Sequence, residues 1–598
     1  MVELTELAVD LAGEPGGATP TPTGWSSAAL TAPFCEGASA VGPLEVAVRA
    51  APLGSGQRID VVVRHPGGPG AEPVALDRVR LRTSARPSVV LEHGWQSWSP
   101  VGRRRVGDVT PWRRMAPWWV RATYHACPEL AGKAVTGDHF LLMADGCGPQ
   151  GGGGLVGFLD GARHLATVVA TTDDVVVTAL LDGVVLAPGQ ERPLDPLWVV
   201  DGEPGRCYSE YLAHWAATAG ALAGAESPLG WCSWYRYFSR VTPVDCRSNL
   251  GPAADHGLEL FLLDDGYERA VGDWLSPNRR FAADPPARLA AEIHRLGMTP
   301  GIWTAPFLAS PRSTLARAHP EWLAGTRRPG SHAADGRRPC RAMWNPVAWG
   351  GWALALDTTE PAVLDHLRRT YAALAGDGWR YHKIDFCYAA AVPALRRGDG
   401  RSTRAEALRA GLRAVRDGAG SGAVIAGCGI PLAQSVGLVD IMRVSPDTAP
   451  RWSPGLLRLP GYLDLAPAAV SALQGSVLRA PMHRRLWVND PDCLLLRPVR
   501  TRLAASQRRL LAEAVAGTGG FTVVSDDLAT YGPDEWAVLD RLRRLRPQVD
   551  RPLDIVDPFA DELVVTAPRG QRLEVAWASG RRRGAPSAHF DVGQPPEE

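Results

Sequence analysis

At 598 residues, with 64 basic against 63 acidic side chains and a net charge of +1, the chain is long enough for two to four domains and offers no charge complement to nucleic acid or to an acidic membrane surface. No apolar stretch is long enough to span a bilayer, no charged n-region followed by an apolar run opens the chain, and the ten cysteines are scattered without Cys-x-x-Cys spacing, so the expectation is a cytoplasmic protein of free thiols. His-Glu-x-x-His and Walker loops are missing, and the glycines at 418, 420 and 422 precede an apolar run where a dinucleotide loop would follow one, so neither metal nor cofactor is expected.

Residues 1–205 read as an N-terminal β-sandwich: short β-branched or alternating runs at 44–48, 59–63, 79–81, 89–91, 155–159, 165–169 and 175–180 are separated by Gly/Pro turns. Within this region Gly94-Trp95-Gln96-Ser97-Trp98-Ser99 holds two indoles around a glutamine and a serine, more than a sandwich strand requires. Either both indoles fill the sandwich core, or the loop reaches over a neighbouring domain and Trp98 closes a pocket there. A helix over 208–222, inside a linker at 206–227, leads onward. Eight apolar runs follow, at 229–234, 258–263, 300–304, 381–385, 423–428, 439–444, 485–490 and 520–526, each ending in polar or aromatic residues before a helix-length segment. That repeat predicts a (β/α)8 TIM barrel over 228–547. Its helices show in Leu289, Ile293 and Leu296 at helical spacing, in Thr358-Thr359-Glu360-Pro361 as a helix start, and in 404–415. The basic stretch 327–341 reads as a solvated loop. Residues 548–598, with apolar runs at 563–565 and 573–576, are enough for a small C-terminal β-domain whose last dozen residues are expected to fray.

Such barrels place their chemistry at the carboxyl ends of the strands, where Asp264, Asp265, Trp303, Asp385, Cys428 and Asp447 fall. In Lys383-Ile384-Asp385 alternate side chains share a strand face, so a cation stands beside a carboxylate and would keep it ionised, as suits a nucleophile or a charge stabiliser. Arg443 and Asp447 have the same parity at another strand end. A retaining glycosidase needs two carboxyls from different strands, about 5–5.5 Å apart. Taken singly, Lys-x-Asp is a strand-end salt bridge, Asp264-Asp265-Gly266 an Asx turn or a metal-ligand pair, Cys428 a small buried hydrophobe, and Trp231, Trp234 and Trp487 core fillers. Asn489-Asp490-Pro491-Asp492 reads as scaffolding behind the site.

The series Gly230-Trp231-Cys232-Ser233-Trp234-Tyr235, Leu263-Asp264-Asp265-Gly266-Tyr267, Gly301-Ile302-Trp303-Thr304-Ala305-Pro306, Lys383-Ile384-Asp385-Phe386, Arg443-Val444-Ser445-Pro446-Asp447 and Asn489-Asp490-Pro491-Asp492 resembles an α-galactosidase (melibiase) of glycoside hydrolase family 36, and the 94–99 motif is similar to one in its shorter bacterial-type members. The resemblance implies a retaining exo-α-galactosidase acting on small oligosaccharides, with Asp385 as nucleophile and Asp447 as acid/base. It implies Asp264 and Asp265 on galactose hydroxyls, Trp303, Lys383 and Arg443 as further sugar contacts with the tryptophan face stacked on the sugar, Cys428 near the 2-position and Tyr235 in the site. An α-N-acetylgalactosaminidase and an α-galactosyl transglycosylase of the same family are the alternatives. A non-catalytic sugar-binding protein is disfavoured because both carboxyls are present. The expected partner is a small α-galactoside, with no nucleic acid and no membrane; the sequence leaves homo-oligomerisation open.

Overall fold

The structure is a computed structural model that describes residues 4–11, 29–33, 37–108, 110–145, 152–327, 337–396, 400–453, 466–560, 562–567, 571–576 and 587–592. Its amino-terminal part is one sheet of fifteen strands. The long strands alternate as a half-buried strand must: Ile59, Val61 and Val63 of Gly56–Arg64 are buried while their neighbours are not. Leu7, Val9, Val79 and Leu81 from one end of the sheet share a core with Leu44, Val46, Ile59 and Val61 from the other, so the sheet doubles over into a sandwich. All seven runs read from the sequence fall on strands, with only Leu159 of the run 155–159 lying past its strand's end. Leu4–Leu11, Phe140–Ala144 and Leu197–Asp201 were not anticipated.

The connecting helix, Pro204–Ala219, begins earlier than its hydrophobic pattern suggests, because Glu203 caps the backbone N–H groups of Gly205 and Arg206. It is no mere spacer: Tyr208 and Tyr211 pack on Phe140 at ring separations of 5.6 and 5.1 Å.

Eight parallel strands form the barrel: β1 (Leu229–Cys232), β2 (Leu260–Leu263), β3 (Thr299–Thr304), β4 (Tyr381–Ile384), β5 (Val424–Gly427), β6 (Ile441–Arg443), β7 (Val488–Asp490) and β8 (Thr522–Val524). They match the eight apolar runs one for one. The order is 7-6-5-4-3-2-1-8, and the seam between β7 and β8 is bridged by Leu494, whose N–H donates to the Val523 carbonyl at 2.8 Å. The helix Arg404–Ala419 starts in a capping box of Thr403 and Glu406. Between β3 and the helix Pro361–Gly376 the chain makes an excursion through five short strands from Leu308–Ala309 to Gly351–Ala355. Here the expected solvated loop is corrected: Gly325–Arg327 pairs antiparallel with Arg337–Pro339, although 328–336 lie outside the described residues.

The carboxyl-terminal sheet has four strands, Asp554–Ile555, Glu562–Ala567, Gln571–Ala576 and Ser587–Val592. The last corrects the expectation of a frayed tail as far as residue 592: backbone pairing with Gln571–Ala576 fixes it, and 593–598 lie outside the described residues. Among the described residues no helix is long and apolar enough to cross a membrane, and the eight described cysteines are buried and unpaired.

Candidate active site

Asp385 stands at the exit of β4. Its Oδ2 accepts the Trp303 indole N–H from β3 at 3.1 Å and its Oδ1 the Phe386 backbone N–H at 2.7 Å. Phe386 adopts φ 52°, a left-handed conformation that a phenylalanine takes only where its surroundings dictate it. The expected stacking role of Trp303 needs correction. At 1% exposure, with Trp274 edge-on at 5.7 Å, it has no open face, and its N–H is spent on Asp385. The half-buried Trp349, from the excursion after β3, lies 4.9 Å from the Phe386 ring and donates to Asp265 Oδ2 at 3.0 Å.

Lys383 corrects a second expectation, because its direct partner is not Asp385. The ammonium reaches past β3 to Asp264 Oδ2 at 2.7 Å, where it joins the Cys232 thiol at 3.3 Å; the other oxygen, Oδ1, accepts the Asp265 N–H at 2.9 Å. Burial opposes the charge on Lys383, but Asp264 and then Cys232 hold its pKa well above the usual lysine value. Burial, then the neighbouring Glu268, raises the Asp265 carboxyl well above its ordinary range, and the two carboxyls share a hydrogen bond. The sharp Asp-Asp-Gly turn requires its glycine: Gly266 sits at φ 118°, and a Cβ there would come within 2.6 Å of the Ser239 backbone.

Across the barrel, Arg443 is buried among three carboxyls: Asp447 at 3.3 Å, Asp490 at 3.3 Å and Asp492 at 2.7 Å. Burial works against this cation and Asp492 and Asp490 outweigh it, so its pKa lies well above the ordinary arginine value. Asp492 also accepts the Tyr235 hydroxyl at 2.5 Å and the Thr448 N–H at 2.7 Å. Tyr235 therefore sits in the site with its hydroxyl already spent on a carboxylate. Burial and then the Asp492 charge push Asp447 up to about 7, against the pull of Arg443. Its side chain nonetheless remains 35% exposed.

The roof comes from the amino-terminal sheet of the same chain. Trp98 lies 4.9 Å from Phe386 and 6.3 Å from Tyr388, and its indole N–H is buried without an acceptor among the described residues. A Cβ on Gly429 would come within 2.9 Å of its ring. Ser97 Oγ accepts the Gly429 N–H at 3.2 Å, which seats the loop beside the end of β5. Cys428, next to that contact, is a buried thiol whose pKa is raised by burial and then by Asp385. Trp349 and Glu268 were not singled out in the sequence. Trp349 lies near Trp344 and Trp352 in a stretch without barrel periodicity, and that cluster of indoles was its only signal.

Residues 230–338 match the family model described as Melibiase. That segment holds only the first three strands of the barrel. A stretch of 113 residues is 34% identical to the α-galactosidase AgaA of Geobacillus stearothermophilus, and one of 169 residues is 28% identical to an α-galactosidase of Escherichia coli. These alignments cover 17% and 27% of this chain and span only 15% and 20% of those relatives' lengths. The structure of TtGalA, an α-galactosidase from Thermus thermophilus in complex with stachyose, superposes with a TM-score of 0.65 at 27% identity, over 83% of this chain and 99% of that one. The family 36 AgaA of G. stearothermophilus shares the fold at a TM-score of 0.59 and 16% identity, over 97% of this chain and 80% of that one. The melibiase segment contributes β1 to β3 and with them Tyr235, Asp264, Asp265 and Trp303; Lys383, Asp385, Cys428, Arg443 and Asp447 lie on the strands beyond it, in the same barrel.

Proposed function

We propose that this chain is a retaining exo-α-galactosidase that removes terminal α-linked galactose from small oligosaccharides. The observation that carries the reading is the unlike setting of two carboxyls at one barrel mouth: Asp385 is aimed by two hydrogen-bond donors, whereas Asp447 is pushed up to about 7 and so keeps a proton to give near neutrality. Asp385 attacks the anomeric carbon while Asp447 protonates the departing oxygen. Asp447 then takes a proton from the water that displaces the sugar from Asp385. Asp264 and Asp265 accept sugar hydroxyls, Lys383 and Arg443 hold the carboxylates in place, Trp349 supplies an indole face, and Trp98 closes the pocket from above. Trp98 and Trp349, each 4.9 Å from the Phe386 ring, would enclose a single terminal sugar beside Asp385. The stachyose and p-nitrophenyl α-galactoside complexes of TtGalA support the substrate class. Buried thiols throughout the described residues accord with a cytoplasmic setting.

The crowding of Trp98 against Gly429, beside Cys428, favours a 2-hydroxyl over a 2-acetamido group. The test is initial rates on p-nitrophenyl α-galactoside, its 2-acetamido analogue and the β-anomer. Turnover of the first alone is expected, preference for the acetamido substrate would shift the assignment to an α-N-acetylgalactosaminidase, and no turnover of any would leave a binding protein. Asp385→Gly should lose several orders of magnitude in kcat and regain turnover with azide as β-galactosyl azide; near-normal activity in that variant would remove Asp385 from the mechanism.

A further inference from the structure

A cavity of about 730 Å3 at the barrel face is lined by neither Asp385 nor Asp447. Asp265 and Trp349 form its side nearest the sugar-binding carboxylates, and the βα loops after β1, β2 and β3 line it with six arginines: Arg240, Arg269, Arg279, Arg280, Arg312 and Arg317. Three of these are structurally occupied. Arg269 pairs with Asp273 at 2.9 Å, Arg280 donates to the carbonyls of Val241, Ser239 and Gly266 at 3.1, 2.6 and 2.8 Å, and Arg312 to that of Gly350 at 2.7 Å. Arg240, Arg279 and Arg317 are exposed and have no side-chain partner among the described residues. The only carboxyls lining the cavity are Asp265 and Glu268, both buried and hydrogen-bonded to each other. In a protein of net charge +1, guanidinium groups gathered in one concave site raise the local positive potential and favour a bound anion. Planar forks of N–H donors suit tetrahedral oxyanions best.

We propose that this cleft is a subsite for an oxyanion of the phosphate or sulfate class, set behind the sugar pocket on the side away from the bond to be cleaved. The position follows from the barrel order, since β2, which ends at Asp264 and Asp265, stands diametrically across from β6, which leads to Asp447. This orientation and the sugar-borne alternative rest on the galactosidase reading, whereas binding of a free anion does not. The anion arrives either free or on the exocyclic 6-position of the galactose itself.

The test combines calorimetry with kinetics on the full chain, using the double variant Arg279→Gln/Arg317→Gln and, as a charge control, Arg49→Gln on the amino-terminal sheet. The wild-type protein and Arg49→Gln are expected to bind inorganic phosphate or sulfate, with at least tenfold weaker binding in the double variant. If the group enters on the sugar, the ratio of kcat/KM for p-nitrophenyl α-galactoside 6-sulfate to that for the unsubstituted galactoside falls at least tenfold in the double variant. Lost inorganic-anion binding with an unchanged ratio assigns the site to a free ion. Equal inorganic-anion affinity in wild type and double variant together with an unchanged ratio, or no binding by the wild type in either assay, overturns the subsite. Should no galactoside be hydrolysed at all, the galactosidase reading fails while calorimetry still decides the anion site.

Discussion

Asp385 and Asp447 carry the same side chain, and under the proposed mechanism their neighbours divide the labour. Because burial and Asp492 raise Asp447 to about 7, the competent protonated acid is present below that pH and is lost as pH rises through it, so kcat/KM should fall on a basic limb near 7. Asp492→Asn removes one of the charges that raise Asp447 and frees Arg443 to pull on it, so the limb should move to lower pH; asparagine tolerates the φ of 77° at this position, which leaves the turn intact. An unmoved limb would mean another group sets it. Asp447→Ala should cost roughly 10²–10⁴-fold on substrates with poor leaving groups and far less on activated aryl galactosides, which depart without a proton. Equal losses on both would make Asp447 a binding residue only. Gly429→Ala should raise KM, since its φ of 56° and the Trp98 ring 2.9 Å from the new Cβ force the roof to shift; unchanged kinetics would place Trp98 outside the pocket.

At the scale of elements, the barrel was legible because each strand is a short apolar run buried along nearly its whole length. Asp264, Asp385 and Asp447 fell at strand ends for that reason. Pairing between elements was not legible. Lys383 shares a strand face with Asp385 yet chooses Asp264, since a long side chain can cross a neighbouring strand and a sequence pattern records only its own strand. Trp349 escaped because the excursion after β3 has no period to read. Arg479 is the clearest case of such invisibility: it is fully buried, with its pKa lowered to about 10 by burial, and it donates to the carbonyls of Ser97 at 3.0 Å and Val444 at 2.8 Å, tying the Trp98 loop to the end of β6. Arg479→Met should strand those carbonyls and cost about 3–5 kcal/mol in denaturant unfolding. It should also raise KM in the surviving enzyme as the loop loosens. Weaker folding with normal KM would show that the loop is held by other contacts.

On the scale of the molecule, one hydrophobic core runs from Phe140 and Trp198 of the amino-terminal sheet through Trp231 and Tyr371 of the barrel to Ile555 and Leu573 of the last sheet. Polar joints lie along the same boundary. Asp182, in a left-handed turn at φ 57°, accepts the backbone N–H of Arg404 at 2.8 Å and its Nε at 2.7 Å, while Arg404 Nη1 donates to the Ala126 carbonyl at 2.9 Å. The amino-terminal sheet thus ties down the first turn of a barrel helix, where free N–H groups need partners and a carboxylate is favoured. Continuous packing of this kind couples the parts, so calorimetric melting should show a single transition where independent domains would give two. Asp182→Ala tests the coupling directly: it leaves a largely buried guanidinium unpaired, at a cost of about 3–5 kcal/mol, and that cost should appear as a downward shift of the whole transition. A new low-temperature shoulder that carries the loss of β-sheet signal, followed by an unshifted barrel transition, would show instead that the amino-terminal sheet and the barrel unfold independently.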